Sequence, residues 1–180
     1  TVLDLAYSAE SLDAALSWVL RGCASRRTTP DRIAAAMERR ARMRWRTELG
    51  AALGLGAQGV HSLLEFRYVN RVERPHGLPT AVRQYRVSRA GQRQYQDVTY
   101  QAYGVVVELD GRAAHPVELR WRDVRRDNAC AAEGQVTLRY GWPDVTQRPC
   151  LVATEVGAVL SGRGWDGRLR RCGPACLLPP

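Results

Sequence analysis

The 180-residue sequence contains no lysine: its 27 basic residues are all arginine, set against 18 acids for a formal charge of +9. Arginine's planar fork makes bidentate contacts with phosphate, so this cation set suits a polyanion partner. A high-GC genome also yields an arginine-rich composition, and charge alone does not choose between the two. No apolar run of membrane length and no secretory leader pattern occurs, so nothing argues for export or for a membrane partner. The five cysteines (Cys23, Cys130, Cys150, Cys172, Cys176) are odd in number and scattered, lacking the density and pairing of a secreted disulfide framework. A reducing, cytoplasmic setting is the expectation. No internal repeat is visible.

The length suits one domain with an appendage and permits a substantial core. Helical pattern begins almost at Thr1, which suggests a piece of a longer protein. Leu12, Ala15, Leu16, Val19 and Leu20 fall on one helical stripe. Thr29-Pro30-Asp31 is a helix start, with Ile33 and Met37 on its buried side. Trp45, Leu49, Ala52 and Leu53 propose a third helix, weakened by Gly50, Gly54 and Gly56. Residues 1–58 therefore read as a helical arm. Within it, the arginines between Arg39 and Arg46 suit either phosphate contact or a solvated basic face.

Residues 59–165 read as an α/β (α+β) domain: a helix from Ser62 to about Glu73, strands at Pro79–Val87 and Arg93–Tyr100, and a valine-rich strand ending in Glu108 and Asp110. A long helix follows over Val117–Ala131, then a strand at Gln135–Gly141 and a helix from about Pro149. A four-stranded mixed sheet flanked by helices results, the long helix crossing over between the third and fourth strands. The tail from residue 166 is rich in Gly, Arg and Pro and is expected to lack regular structure.

Acids gather where a packed sheet would avoid them. Val105-Val106-Val107 suits a strand covered on both faces, yet Glu108 and Asp110 share one side of its far end. A hairpin through Gln101–Gly104 sets Asp97 roughly opposite Glu108. Carboxylates crowded at the edge of an apolar core repel one another and lose hydration, which a divalent cation relieves. Glu65 has two readings: the acid of a Ser62-x-x-Glu65 capping box, or a further acid turned towards the strands. Asp123 and Asp127, one helical turn apart, fit a charge lattice with Arg120, Arg122, Arg125 and Arg126.

The ordered set Ser62-x-x-Glu65, Tyr95-x-Asp97-Val98, Val107-Glu108-x-Asp110-Gly111 with His115, Arg126-Asp127-Asn128 and Leu138-Arg139-Tyr140 resembles the PD-(D/E)XK nuclease superfamily. Within it, the likeness is to very-short-patch-repair endonucleases and to bacterial endonuclease-domain proteins of the AbiEi antitoxin type. The resemblance implies a restriction-endonuclease-like core and metal-dependent hydrolysis of DNA, as an endonuclease or nickase using Mg²⁺ or Mn²⁺. By that resemblance Asp97 and Glu108 hold the metal, with Glu65 completing the site. Asp110 stands where the superfamily has lysine, a departure for which His115 or Arg126 would compensate. His115 would act as acid, base or phosphate contact, with Asp127 orienting it; a plain loop histidine before Pro116 is the alternative. Arg112, Arg122, Arg125 and Arg126 are the candidate DNA contacts. The competing expectation is a DNA-binding, antitoxin-like regulator on a nuclease-derived fold, whose N-terminal winged helix this chain lacks.

Cys172 and Cys176, set across a Gly-Pro turn, form half of a structural Zn²⁺ site. Cys150 or Cys130 would have to complete it, and free thiols or an opportunistic disulfide are the default expectation.

Overall fold

Thr1, Ser11 and Thr29 each accept an amide at the start of a helix, so three of the four helices that open the chain begin at side-chain caps. The computed structural model describes residues 1–89, 92–110, 124–125 and 128–178. Contacts divide the chain into two units, Thr1–Phe66 and Arg67–Pro180, where the sequence reading set the boundary after residue 58.

The first unit contains α1 (Val2–Tyr7), α2 (Leu12–Ala24), α3 (Pro30–Glu38) and α4 (Arg46–Ala57). The expected stripe of α2 is buried at Ala15, Leu16, Val19 and Leu20, and it meets Leu49, Ala52 and Leu53 of α4 within the same core. Trp45 precedes α4 with a left-handed backbone, φ 53°, and supplies no side-chain cap. The neighbouring arginines hold this corner. Arg46 donates to the carbonyls of Met37 (2.7 Å) and Arg40 (2.5 Å), Arg44 donates to Ala9 O and stacks 4.0 Å from the Trp45 ring centre, and Arg40 pairs with Asp4. Three of the arginines weighed as phosphate contacts therefore brace helix ends.

The second unit takes over within α5 (Leu63–Tyr68). The helix widens into a π-turn at Val69–Glu73 and closes as α6 (Arg74–His76), three residues beyond the end expected at Glu73. The reason lies at Pro75. Proline has no amide to give and crowds the carbonyl four residues back, and a widened turn just ahead of it relieves both demands. Gly77 then ends the helix at φ 70°, a conformation that glycine adopts without steric cost, and Leu78 N–H reaches back to Glu73 O.

The sheet order is β1 (Val82–Arg89), β2 (Gln92–Tyr100), β3 (Val105–Asp110) and β4 (Val136–Gly141). β1–β2 and β2–β3 pair antiparallel, and β3–β4 pair parallel. The sheet is mixed and flanked by helices, as expected; β1 starts three residues later than the expected Pro79. A parallel pair requires a crossover, and helical residues 128–132 end that connection. Val105, Val106 and Val107 are fully buried, each worth about 1.5–3 kcal/mol of apolar burial.

Two helices close the unit: α7 (Trp142–Gln147), which the sequence reading had taken as a connection, and α8 (Pro149–Gly162). Pro143 in the first turn of α7 and an Asp144 carboxylate accepting Gly141 N–H at 2.9 Å explain its start. Gly157 on α8 leaves room for Leu169, whose side chain would collide with any added Cβ. The tail therefore lies on α8 without helix or strand of its own.

Between the π-turn and the sheet runs a buried polar network. Glu73 Oε1 lies 2.5 Å from Arg83, its Oε2 accepts the Tyr100 hydroxyl at 3.2 Å, and the Tyr68 and Tyr100 hydroxyls are 3.0 Å apart. Both charged side chains are over nine-tenths buried. Burial pushes the Glu73 carboxyl up, and Arg83 opposes that. Removing one partner of such a pair strands the other charge. Arg83→Met should therefore cost about 3–5 kcal/mol in urea unfolding of the chain, and pairing it with Glu73→Gln should recover part of that loss.

Candidate functional site

Asp97 sits at a defect in the sheet. On one side, Arg83↔Val98 and Tyr85↔Gln96 pair across β1–β2, which leaves Gln84 opposite Asp97. Gln84 has a left-handed backbone, φ 47°, costly for a residue with a Cβ. On the other side, β2–β3 pairing stops at Val98↔Val107. The next β3 amide facing β2, Leu109 N–H, is accepted by Asp97 Oδ2 at 2.9 Å, and Gln84 Nε2 approaches Oδ1 at 3.4 Å. A side-chain carboxylate thus stands where a backbone carbonyl would continue the ladder.

Pairing between β2 and β3 ends one residue short of Asp97 on the one strand and of Glu108 on the other. Glu108 and Asp110 lie on one face of β3, with Glu108 beside Arg139 and Asp110 beside Gly141 of β4. All three acids are half-buried and Arg139 is exposed. Asp97 and Glu108 each adjoin the last paired residues of β2 and β3.

Glu65 belongs to the helical unit and is locally engaged. Its amide donates to Ser62 Oγ at 3.1 Å, and Oε2 accepts His61 N–H at 3.0 Å, which is the reciprocal arrangement of a capping box displaced by one residue. Arg125 is exposed. His115, Asp127, Arg112, Arg122 and Arg126 lie outside the described residues.

A second cluster was only half visible in the sequence. His76, Cys150, Cys172 and Cys176 place their ligand atoms within 4.8 Å of one another, and among the described residues no other group of three or more His, Cys, Asp or Glu does so. Sγ of Cys150 is 3.8 Å from that of Cys172 and 3.7 Å from that of Cys176, and Cys176 Sγ is 3.9 Å from His76 Nε2. His76 is fully buried, Cys150 and Cys176 are buried, and Cys172 faces solvent. Each comes from a different requirement of the fold. His76 ends α6, Cys150 lies in the first turn of α8, and the tail folds back by donating Arg170 N–H to His76 O and the Arg170 side chain to Arg74 O. Arg171 bonds Pro174 O and Cys176 O, shaping the loop between the last two cysteines.

Electrostatics separate these thiols. Burial alone would raise Cys176, but the amides of Leu178 and Cys172 and the thiols beside it hold it down to about 6. Burial and the Cys176 and Cys150 thiols push Cys172 up to about 11. Cys130, the other cysteine considered as a partner, is elsewhere: it is buried against Gln96 Nε2. Sequence spacing pointed to Cys172 and Cys176; His76, read as part of a helix terminator, carried no such signal.

No family model matches the chain, and neither a curated protein nor a solved structure matches it significantly. No described helix is long and apolar enough to cross a membrane.

The defect at Asp97 yields a stability test. Asp97→Asn keeps an oxygen for the Leu109 amide and should change stability little, whereas Asp97→Ala leaves that amide without its acceptor and should cost about 1–3 kcal/mol. Denaturant midpoints of the two variants measure the difference.

Proposed function

We propose that the chain is a metal-dependent DNA endonuclease or nickase with a restriction-endonuclease-like core, acting through Asp97 and Glu108. The observation that supports this reading is the double interruption of the sheet at Asp97, whose carboxylate accepts the amide of Leu109, the residue after Glu108 on β3. Backbone strain such as that at Gln84 concentrates at functional sites. Hard carboxylate oxygens from adjacent strands fit Mg²⁺ or Mn²⁺, which needs only one or two carboxylates when phosphate oxygens and water complete its shell. Bound there, the ion would lower the pKa of a water and neutralise charge on the scissile phosphate. Asp97 and Glu108 would orient that ion, and the Leu109 amide fixes Asp97 in place. Arg139, beside Glu108, and the exposed Arg125 are suited to flanking phosphates. By the resemblance, His115 would act as acid, base or phosphate contact, with Asp127 orienting it, whereas Glu65 is engaged in its own capping box.

One observation favours a second reading, a DNA-binding regulator that no longer cuts. An Asp97 oxygen is taken up by the Leu109 amide, and the resemblance puts Asp110 where a lysine would assist water or phosphate. On that reading the arginine excess serves binding alone.

Incubating the full chain with supercoiled plasmid and Mg²⁺ or Mn²⁺ distinguishes the two. The enzyme reading expects nicking that falls to background in Asp97→Asn and Glu108→Gln, with DNA affinity unchanged or tighter because an anion facing phosphate is gone. Equal nicking by both folded variants would remove these residues from the site. DNA binding without nicking in the wild type would favour the regulator.

For either reading, duplex affinity should fall steeply with salt, by about 0.9 in log–log slope for each neutralised phosphate. Arg125→Ala should flatten that slope by about one contact. Gel shifts over a salt series measure both, and a flat series would exclude backbone phosphate as the partner of these arginines.

A further inference from the structure

We propose that His76, Cys150, Cys172 and Cys176 form a closed four-ligand Zn²⁺ site that fastens the C-terminal tail to the end of α6 and the start of α8. This site is separate from the proposed reaction of Asp97 and Glu108, and neither proposal depends on the other.

Geometry is the first argument. A tetrahedral zinc with Zn–S bonds of about 2.3 Å and Zn–N bonds of about 2.0–2.1 Å sets its sulfurs about 3.8 Å apart and the nitrogen slightly closer. Two sulfur pairs stand at 3.8 and 3.7 Å, Nε2 lies 3.9 Å from Cys176 Sγ, and all four ligand atoms lie within 4.8 Å of one another. A disulfide would require two sulfurs at about 2.05 Å and would leave the third thiol and the imidazole unused. Three cysteines and one histidine are also a donor set that selects zinc over the harder ions suited to Asp97 and Glu108.

The second argument comes from His76. Nδ1 lies 2.9 Å from Val72 O, and a carbonyl only accepts, so Nδ1 carries the proton. In the neutral ring, Nε2 then turns its lone pair into the thiol cluster. An imidazole oriented by a backbone carbonyl through its other nitrogen is the usual outer-shell support of a zinc ligand. The carbonyl belongs to the π-turn, so the same widening that admits Pro75 aims His76. Leu78 N–H also reaches Glu73 O, and Arg170 N–H reaches His76 O, so backbone bonds hold both ends of the segment that carries the ring.

The third argument is what the cluster joins. The described residues of the tail form no helix or strand, and Cys150, Cys176 and Leu178 make an apolar cluster with Leu169 packed against it. A metal that ties together residues 76, 150, 172 and 176 crosslinks segments far apart in sequence, as small metal-stapled domains do. With all four positions supplied by protein, the site has no opening for substrate water, which makes it structural. Cys172 faces solvent and gives the ion an entry path. Binding as three thiolates and a neutral imidazole releases up to three protons and leaves a site of net charge −1.

The test uses the full chain purified without chelator. Metal analysis should find one zinc per chain, and replacement by Co²⁺ should give the intense visible bands of a tetrahedral, thiolate-rich centre. Cys172→Ser, at the exposed ligand, should weaken zinc binding by more than the about 10–100-fold that loss of an outer-shell partner costs. Cys130→Ser and Cys23→Ser should leave it unchanged. Stripping zinc should open residues 166–178 to protease while Asp97 variants keep their zinc. Should Cys172→Ser not fold, the wild-type Co²⁺ spectrum decides alone. The proposal is overturned if the wild type holds no zinc and its Co²⁺ spectrum is octahedral, if thiol mapping finds a disulfide among the three cysteines, or if Cys130→Ser loses as much zinc as Cys172→Ser.

Discussion

Holding Glu73 and Arg83 together out of water is the constraint on which the second unit depends. Each charge alone would be prohibitive in that position, and the two are tolerated because Tyr100 supplies a further hydrogen bond to the carboxylate. The pair fixes the π-turn against β1 and β2. From that fixed turn follow the direction of α6, the position of His76 at its end and the contact of Val69–Glu73 with α7 and α8. One short segment thereby serves the sheet through Glu73, the closing helices through Val69 and Val72, and the tail through the carbonyls of Arg74 and His76.

The sheet shows the opposite use of a polar group. Along most of β2 and β3 the backbone satisfies itself, but at Asp97 the ladder gives way on both sides and a carboxylate takes over one of its bonds. A residue held in that manner is rigid. Rigidity is what a ligand for a cation or a phosphate-facing acid requires, and it is equally what a purely structural plug requires. The acid end of β3 and the arginine of β4 lie beside it because parallel pairing sets Glu108 next to Arg139. The two candidate sites in this unit thus divide by chemistry: oxygen donors at the end of the strands, sulfur and imidazole where the tail meets the helices.

Much of this was legible from local pattern. The α2 stripe, the Thr29-Pro30-Asp31 start, the buried valine strand and the mixed sheet all follow from periodicity of 3.6 or 2 and from the length of the connections. The helix end at Glu73 was misread because a proline usually marks a boundary, and local sequence does not say that a π-turn will absorb it. The arginines near Trp45 looked like a basic face because no local rule tells an exposed guanidinium from one folded back onto carbonyls such as Met37 O.

The sequence by itself determined most of the helices, the four strands and their mixed sheet, since these depend on neighbours within a few residues or across one tight hairpin. Tertiary structure alone decided which distant groups meet. That Glu73 finds Arg83, that Arg46 turns back onto Met37, and that His76 and Cys150 join Cys172 and Cys176 are consequences of chain paths separated by up to 100 residues. Spacing along a chain carries information only where the backbone between two residues is regular, and between His76 and Cys176 the described residues run through four strands, several helices and an irregular tail.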